Sequence, residues 1–250
     1  NDTRAVLRSA HENGIRKLII TGTSVCESNR MIALLNQYST EFPEMLYGTV
    51  GIHPHAASEF SNDSTADLRH LLTQPGVVAI GETGLDFHRN LAPKEMQVKC
   101  FEAHLSLASE IELPLFMHER EASKLQIDIL KNRRKDFSKG VIHCFTGDRQ
   151  TLYQYLDMDL HIGITGWICD PRRGMPLQDL VADIPLDRLM IETDSPYLLP
   201  RNLAFPPKDG RNEPSFLPWV VSGIAACREE SKEEIAEQTG KTAIKFFGLE

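Results

Sequence analysis

Residues 77–82 read VVAIGE, a short apolar run that ends at Glu82. The pattern recurs further along the chain, where LPLFMH ends at His118, GVIHCF contains His143 and LMIETD closes at Asp194. Three to five mostly apolar, β-prone residues precede each of these polar side chains, and helical segments separate the runs. This repeated order of strand and helix predicts a mostly parallel sheet.

Seven strand candidates are readable along the chain. Their near-continuous Val, Ile and Leu content is typical of strands that are buried on both faces. The helix candidates between them include the long, amphipathic Lys94–Glu110 and the short Leu177–Asp183. The predicted strands are Leu18–Gly22, Leu46–His53, Val77–Glu82, Leu113–His118, Gly140–Phe145, Leu160–Thr165 and Leu189–Asp194.

We therefore predict an α/β fold, a TIM (β/α)8 barrel, as a single domain over residues 1–250. Such barrels commonly span ~250 residues, and a hydrophobic content of 41% is enough to bury a substantial core. A barrel of this type needs eight strands. Because the sequence opens directly on a helical segment, Asp2–Asn13, the strand that is missing is expected to be the first.

Composition argues against several classes of protein. Lys and Arg number 27 against 35 Asp and Glu, which gives a formal net charge of −8 and argues against a general polyanion-binding protein. The five cysteines are scattered without a C-x-x-C pair, which favours reduced thiols and a cytoplasmic location. No run approaches the roughly 18 apolar residues of a membrane span. We expect a monomer without a membrane partner.

The four polar residues that follow the strands suit one kind of chemistry. The carboxyl ends of the strands in a parallel barrel meet on one face, where active sites are built. Carboxylates and imidazoles that converge there suit a hard or borderline divalent cation. We expect Glu82, His118, His143 and Asp194 to hold the metal, with Asp194 also accepting a proton from water that the metal activates. This predicts metal-assisted hydrolysis.

Each of these residues also has a plainer interpretation. A single histidine at a strand end is often a hydrogen-bonded structural residue, and Glu82 could pair with an arginine. Asp194, which precedes Ser195-Pro196, could cap a turn. Taken together the four favour a metal site, since unpaired charges buried at the same end of four strands would be costly.

Longer strings of sequence carry a resemblance to a known family. The chain resembles the TatD-type metal-dependent DNases, which belong to the amidohydrolase-like barrels, from its first residue to Phe247. The strings are GIHPH (Gly51–His55), AIGETGLD (Ala79–Asp86), FMHER (Phe116–Arg120), HCFTG (His143–Gly147), ITGW (Ile164–Trp167), IETDSPYLLP (Ile191–Pro200) and RNEP (Arg211–Pro214).

The resemblance implies a TIM barrel, a divalent cation and hydrolysis of phosphodiester bonds. In the family, a glutamate, two histidines and an aspartate hold or flank the metal. The resemblance places them at Glu82, His118, His143 and Asp194. Mg²⁺ is the expected ion, with Mn²⁺ or Zn²⁺ as alternatives. The family also places the first histidine of G-x-H-P, here His53, in the site, in a catalytic, substrate-phosphate or metal-proximal role. A turn histidine before Pro54 is the alternative. Many members carry H-x-H on the first strand, so the number of metal ions stays open.

Arginines and one tryptophan are candidate substrate contacts. Arg120 lies two residues past His118, and Arg211 lies in the RNEP string. Both could hold phosphate through paired hydrogen bonds. Trp167 could stack a base, or it could pack at the rim of the barrel. Three further arginines, for which solvated surface charge is the plainer interpretation, follow the last two strands: Arg172, Arg173 and Arg201.

The resemblance implies a 3′–5′ exonuclease that prefers single-stranded DNA and also acts on RNA. One alternative is a small-molecule amidohydrolase on the same barrel, although such enzymes often place a carboxylated lysine where Glu82 stands. A second alternative is a metal-binding scaffold without turnover. The intact set of four ligand residues argues against the scaffold.

Overall fold

The computed structural model describes residues 2–249, apart from the side chain of Asn62. Strands and helices alternate along the chain, as the sequence predicts. The strands are β1 (Leu18–Ile20), β2 (Leu46–Val50), β3 (Val77–Asp86), β4 (Leu115–Arg120), β5 (Gly140–Ile142), β6 (His161–Ile164) and β7 (Leu189–Ile191). The helices are α1 (Thr3–Glu12), α2 (Val25–Tyr38), α3 (Asn62–Leu71), α4 (Lys94–Ile111), α5 (Ser123–Asn132), α6 (Arg149–Asp157), α7 (Met175–Gln178), α8 (Leu217–Ala225) and α9 (Lys232–Phe247).

The described chain forms two compact units. The β1–β5 unit comprises residues 17–142 and 157–160, and the β6–β7 unit comprises the rest of the described chain. The prediction of a single domain stays a prediction. Within the part of the chain that the structure describes, no helix combines the length and the apolar character needed to cross a bilayer.

The β1–β5 unit contains five parallel strands that pair in chain order. In this register Val50 of β2 lies opposite Ile80 of β3, and Leu115 of β4 lies opposite Gly140 of β5. Almost every residue of β3 is buried, as expected for a strand covered on both faces. Helix α4 adds fully buried apolar side chains to this core, including Phe101.

Two glycines fit β3 against β4. A Cβ atom on Gly81 would lie 2.1 Å from the carbonyl oxygen of Phe116, and one on Gly84 would lie 2.0 Å from that of His118. Both glycines also have positive φ angles, which residues with a side chain rarely adopt. Glycine is therefore required on each side of Glu82, and it allows the two strands that carry Glu82 and His118 to pair closely.

The β6–β7 unit contains a parallel strand pair in which Ile162 lies opposite Leu189. Helix α9 closes the described chain. It begins where Ser231 accepts a hydrogen bond from the backbone N–H of Glu234, and it ends at Gly248 in the left-handed conformation. Its Phe246 packs against His161 at the start of β6, with ring centroids 4.6 Å apart.

Several predicted boundaries are wrong. Strand β3 continues four residues past Glu82, and β4 continues past His118 to Arg120. Strand β7 ends at Ile191, so Asp194 lies in the following loop. The helix predicted at Leu177–Asp183 is instead the short α7 followed by a 3₁₀ turn at Val181–Asp183. The residue after that turn, Ile184, precedes Pro185 and is extended, which ends any helix there.

Candidate metal centre and active site

Three predicted site residues meet in the β1–β5 unit. Glu82 Oε1 lies 3.0 Å from His118 Nδ1 and 3.4 Å from His53 Nε2. The two imidazole nitrogens are 3.3 Å apart. Within the described residues, these three donor atoms all lie within 4.8 Å of one another. Imidazole nitrogens and carboxylate oxygens at this spacing are the kinds of group found around divalent cations such as Mg²⁺, Mn²⁺ or Zn²⁺.

Asp86, at the end of β3, contacts the imidazole of His118 on the side away from Glu82. Its Oδ2 lies 3.2 Å from His118 Nε2 and 2.7 Å from His55 Nε2, and its Oδ1 accepts the backbone N–H of Arg89. When His118 donates from Nε2 to Asp86, the lone pair on Nδ1 faces Glu82. A carboxylate behind a ligand histidine fixes the ring and raises its basicity. We call Glu82, His118 and Asp86 the His118 array.

Hydrogen bonds keep the Asp86 carboxylate ionised. Burial by itself would raise the pKa of Asp86, but the hydrogen bonds from His118, from the Arg89 backbone and from His55 outweigh burial and lower it. Burial lowers the pKa of His55, and the hydrogen bond to Asp86 only partly offsets this effect. Neutral His55 is therefore the donor in the bond to Asp86.

The hydrogen bonds of His53 distinguish between its predicted roles. Its Nδ1 accepts the backbone N–H of His55 at 3.0 Å. A neutral imidazole that accepts at one nitrogen carries its proton on the other, so we assign the proton of His53 to Nε2. That nitrogen then donates toward Glu82 or His118. Acting as a metal ligand would cost His53 its bond to the His55 backbone, so the geometry favours a hydrogen-bond donor.

Two buried side chains on α4 hold the backbone of this site. Gln97 accepts the backbone N–H of Asp86 at 2.8 Å and donates to the Asp86 carbonyl at 3.1 Å. His104 accepts the backbone N–H of Ile52 at 3.0 Å through Nε2, while its Nδ1 lies 2.7 Å from the Cys100 carbonyl. Both side chains are fully buried. They fix the chain on either side of the site, and no motif in the sequence predicted either of them.

The other two predicted ligands lie together in the β6–β7 unit. His143 Nδ1 lies 2.8 Å from Glu192 Oε2, and His143 Nε2 lies 3.6 Å from Asp194 Oδ1. The backbone N–H of Cys144 also donates to Glu192, at 3.1 Å. A Cβ atom on Gly163 would lie 2.2 Å from the Glu192 carboxylate, so the glycine makes room for that side chain. We call Asp194, His143 and Glu192 the His143 array.

The two arginines predicted to bind phosphate differ in whether another side chain already pairs with the guanidinium group. Arg120 is half-buried on the same strand as His118, and no hydrogen bond or ion pair to another residue of the described chain holds its guanidinium. Arg211 instead bonds Asp2 at 2.6 Å and also pairs with Glu213. Arg120 is therefore available to a phosphate group. Arg211 would first have to release a carboxylate.

Trp167 lies in the turn after β6 and is half-buried. Its Nε1 donates to the carbonyl of Arg173 at 3.2 Å, and the Arg173 guanidinium lies 4.5 Å from the ring centroid.

Burial raises the pKa of the Cys144 thiol to about 12, so this thiol stays protonated near neutral pH. It is therefore no candidate nucleophile.

Comparison with known proteins matches the chain to one family over almost its whole length. Residues 1–248 match the family described as TatD related DNase. A protein of Rahnella sp. named 3′-5′ ssDNA/RNA exonuclease TatD is 46% identical over 248 residues, which cover 99% of this chain and 93% of the relative.

Solved structures give the same result. A TatD homologue of Escherichia coli, YJJV, matches with a TM-score of 0.89 at 28% identity, over 99% of this chain and 92% of that one. A TatD family hydrolase of Entamoeba histolytica matches with a TM-score of 0.91 at 27% identity, over 100% and 90%. The predicted α/β class and TIM-barrel fold are confirmed by this likeness. The chain belongs to the TatD-related DNase family.

Proposed function

We propose that this protein is a metal-dependent nuclease that hydrolyses phosphodiester bonds of single-stranded DNA and RNA from the 3′ end. The substrate and the polarity come from the name of a relative that is 46% identical over nearly the whole chain. The structural observation that carries the proposal is the convergence of His53, Glu82 and His118, with Asp86 behind the histidine.

We assign metal-ligand roles to Glu82 and His118 in one unit, and to His143 and Asp194 in the other. A bound divalent ion supplies Lewis acidity, which makes water a stronger nucleophile and draws charge from the phosphoryl oxygens. Mg²⁺ is our first choice. Two imidazoles are softer donors than Mg²⁺ usually prefers, so Mn²⁺ and Zn²⁺ belong in any assay.

Side chains of the protein accept the proton from water and donate hydrogen bonds to the phosphoryl group. The Asp194 side chain is 37% exposed, against 9% for Glu82, so Asp194 can reach a water molecule and accept its proton as that oxygen attacks phosphorus. The bond from phosphorus to the leaving ester oxygen then breaks, and that oxygen is protonated from solvent. His53, through Nε2–H, and Arg120 donate to the non-bridging phosphoryl oxygens as negative charge develops there.

Three further assignments complete the proposal. Trp167 stacks a base of the substrate. Arg211 binds phosphate once it has released Asp2 or Glu213. The protein acts as a cytoplasmic monomer, which size-exclusion chromatography with light scattering would check.

Two labelled strands test the proposal. Single-stranded DNA and RNA carrying a 5′ label should give a ladder that shortens from the 3′ end with Mg²⁺ or Mn²⁺, and no ladder with EDTA. The same strands with a 3′ label should release the labelled nucleotide first. Intact strands with every divalent ion, together with hydrolysis of an amide or lactone, would overturn the proposal in favour of a small-molecule amidohydrolase.

A further inference from the structure

Three arginines surround one carboxylate in the β6–β7 unit. Arg201 Nε lies 3.1 Å from Asp170 Oδ2, Arg173 Nη2 lies 3.3 Å from the same oxygen, and Arg172 Nε lies 4.0 Å from Oδ1. The arginine side chains are 50%, 55% and 69% exposed, while that of Asp170 is 5% exposed. Three cations facing one buried anion leave a local excess of positive charge. We call Arg172, Arg173 and Arg201 the arginine patch.

Asp170 fixes the geometry of this patch. Its Oδ1 accepts the backbone N–H groups of Arg172 at 2.9 Å and Arg173 at 3.1 Å. The hydrogen bond from the Arg172 backbone, followed by those from Arg173 and the nearby charge of Arg201, lowers the pKa of Asp170 despite its burial. The carboxylate therefore stays ionised, holds the turn through two backbone N–H groups and gives the three guanidinium groups a common anionic partner.

Stability does not account for three arginines here. A single guanidinium can neutralise one carboxylate, and ion pairs with exposed partners typically contribute only about 0–1 kcal/mol each. Guanidinium groups bind phosphate oxygens in pairs of parallel hydrogen bonds. In a chain whose formal net charge is −8, an exposed cationic cluster suits an anionic partner more than it suits the fold.

One flat side chain lies against this charge, and two more are exposed on the segment that carries Arg201. The Arg173 guanidinium stacks on Trp167, and both planes are surfaces on which unpaired bases stack. The segment after β7 adds Tyr197, which is 70% exposed, and Phe205, which is 92% exposed. The two loops pack closely, because a Cβ atom on Gly166 would lie 2.3 Å from the carbonyl oxygen of Leu198.

We propose that the arginine patch binds the backbone phosphates of single-stranded nucleic acid while bases of that strand stack on Trp167–Arg173, Tyr197 and Phe205. This inference rests on the proposed function and names the surface that holds the strand. Exposed aromatic side chains beside cations favour a single strand, whose bases are free to stack, over a duplex.

Binding and salt dependence test the patch in the full chain. The ligand is a fluorescein-labelled thymidine dodecamer with phosphorothioate linkages, which resist hydrolysis, in the presence of Mg²⁺. Fluorescence anisotropy compares the wild type with the triple variant Arg172→Ala, Arg173→Ala, Arg201→Ala. The matched control is the triple variant Arg30→Ala, Arg69→Ala, Lys241→Ala, which removes the same charge from exposed ion pairs elsewhere.

The patch variant should bind at least about ten-fold more weakly, and its slope of log affinity against log salt should fall by about 2, because single strands give roughly 0.7 per phosphate contact. The control should stay within about two-fold of the wild type. Equal losses in both variants, or none in the patch variant, would overturn the inference. The single variant Arg172→Ala keeps the ion pairs of Arg173 and Arg201 with Asp170. A loss of binding in this variant therefore reports on the phosphate contact and not on misfolding.

Hydrolysis separates this inference from the proposed function. A wild type that shortens DNA, but whose patch variant binds and shortens it equally well, refutes only the patch. A wild type that binds the dodecamer through the patch but hydrolyses no nucleic acid with any divalent ion refutes the nuclease and leaves the binding surface standing.

Discussion

The His118 and His143 arrays share one design and differ in how open they are. In each, an imidazole lies between two carboxylates. His118 directs Nε2 to Asp86 and Nδ1 to Glu82, whereas His143 directs Nδ1 to Glu192 and Nε2 toward Asp194. Each histidine thus keeps one nitrogen on an orienting carboxylate and presents the other to a carboxylate suited to a metal ion.

Exposure separates the two arrays. Glu82 is enclosed by two imidazoles within 3.4 Å. Within the described residues the Asp194 carboxylate has His143 as its one ion-pair partner, at 3.6 Å, and its side chain is 37% exposed. An enclosed carboxylate is suited to hold an ion, and an open one is suited to exchange protons with water. We therefore expect Glu82 chiefly to hold the ion and Asp194 to transfer the proton.

The enclosed carboxylate should show the largest effect. Glu82→Gln keeps the shape of the side chain but removes its charge from between His53 and His118. We expect a loss of several kcal/mol of transition-state stabilisation, or about three orders of magnitude in rate, together with weaker Mn²⁺ binding by calorimetry. Near-normal metal affinity and activity would show that Glu82 is not the ion-holding carboxylate.

The two orienting carboxylates, Asp86 and Glu192, should differ in how strongly each affects metal binding. Asp86→Asn and Glu192→Gln should each reduce metal affinity or activity by about 10–100-fold, the usual effect of removing a partner behind a ligand histidine. Asp86→Asn should be the more severe, because Asp86 contacts two imidazoles and is almost wholly buried. Parallel titrations with Mn²⁺ measure both variants, and the opposite order would contradict this view of the arrays.

Variants of His53 test whether this residue donates a hydrogen bond or binds the metal ion. His53→Gln keeps an amide N–H close to the position of Nε2, so we expect Mn²⁺ affinity within about two-fold of the wild type and a partial loss of activity, of about ten-fold or less. His53→Ala, which offers no donor, serves as the comparison and should lose more activity. A large loss of metal affinity in His53→Gln would make His53 a ligand.

His104 should show the smallest effect at neutral pH. Burial lowers the pKa of this imidazole to about 4, below its unfolded value of about 6.5. The unfolded chain therefore binds more protons below pH 6.5, so the free energy of unfolding falls as pH drops from about 6.5 to 4, by up to roughly 3 kcal/mol. His104→Gln should remove this part of the pH dependence in urea titrations, with little change in activity at pH 7.

An unchanged pH slope in His104→Gln would place the acid sensitivity on other groups. The variant keeps an acceptor for the Ile52 backbone N–H, so a loss of neutral-pH stability beyond about 1 kcal/mol would show that packing of the ring matters more than the hydrogen bond.

The four candidate ligands can be proposed from sequence because each follows a run of apolar residues, and the ends of parallel strands share a face. Asp86 was not found, since the continuation of β3 beyond the glycines depends on pairing with β4. Glu192 could have been found from sequence, because it lies two residues before Asp194 and residues two apart on an extended chain face the same side. Gln97 and His104 lie seven residues apart on a buried helix face, where a polar residue is unusual.

Other features needed the structure. Nothing in the RNEP string indicates that Asp2 lies within 2.6 Å of Arg211, because the two residues are at opposite ends of the chain. The convergence of three arginines on Asp170 likewise joins loops that follow different strands. Long-range ion pairs of this kind leave no periodic pattern in sequence.

The role of Asp194 as proton acceptor is tested by measuring the single-turnover rate of hydrolysis of 5′-labelled single-stranded DNA with Mg²⁺. Asp194→Asn is compared with the wild type and with Asp209→Asn, a change at an exposed aspartate outside both arrays. We predict that only Asp194→Asn loses the 3′-shortening ladder, by at least about 100-fold in rate, while its thermal unfolding stays like that of the wild type. Equal rates for all three proteins would contradict the account.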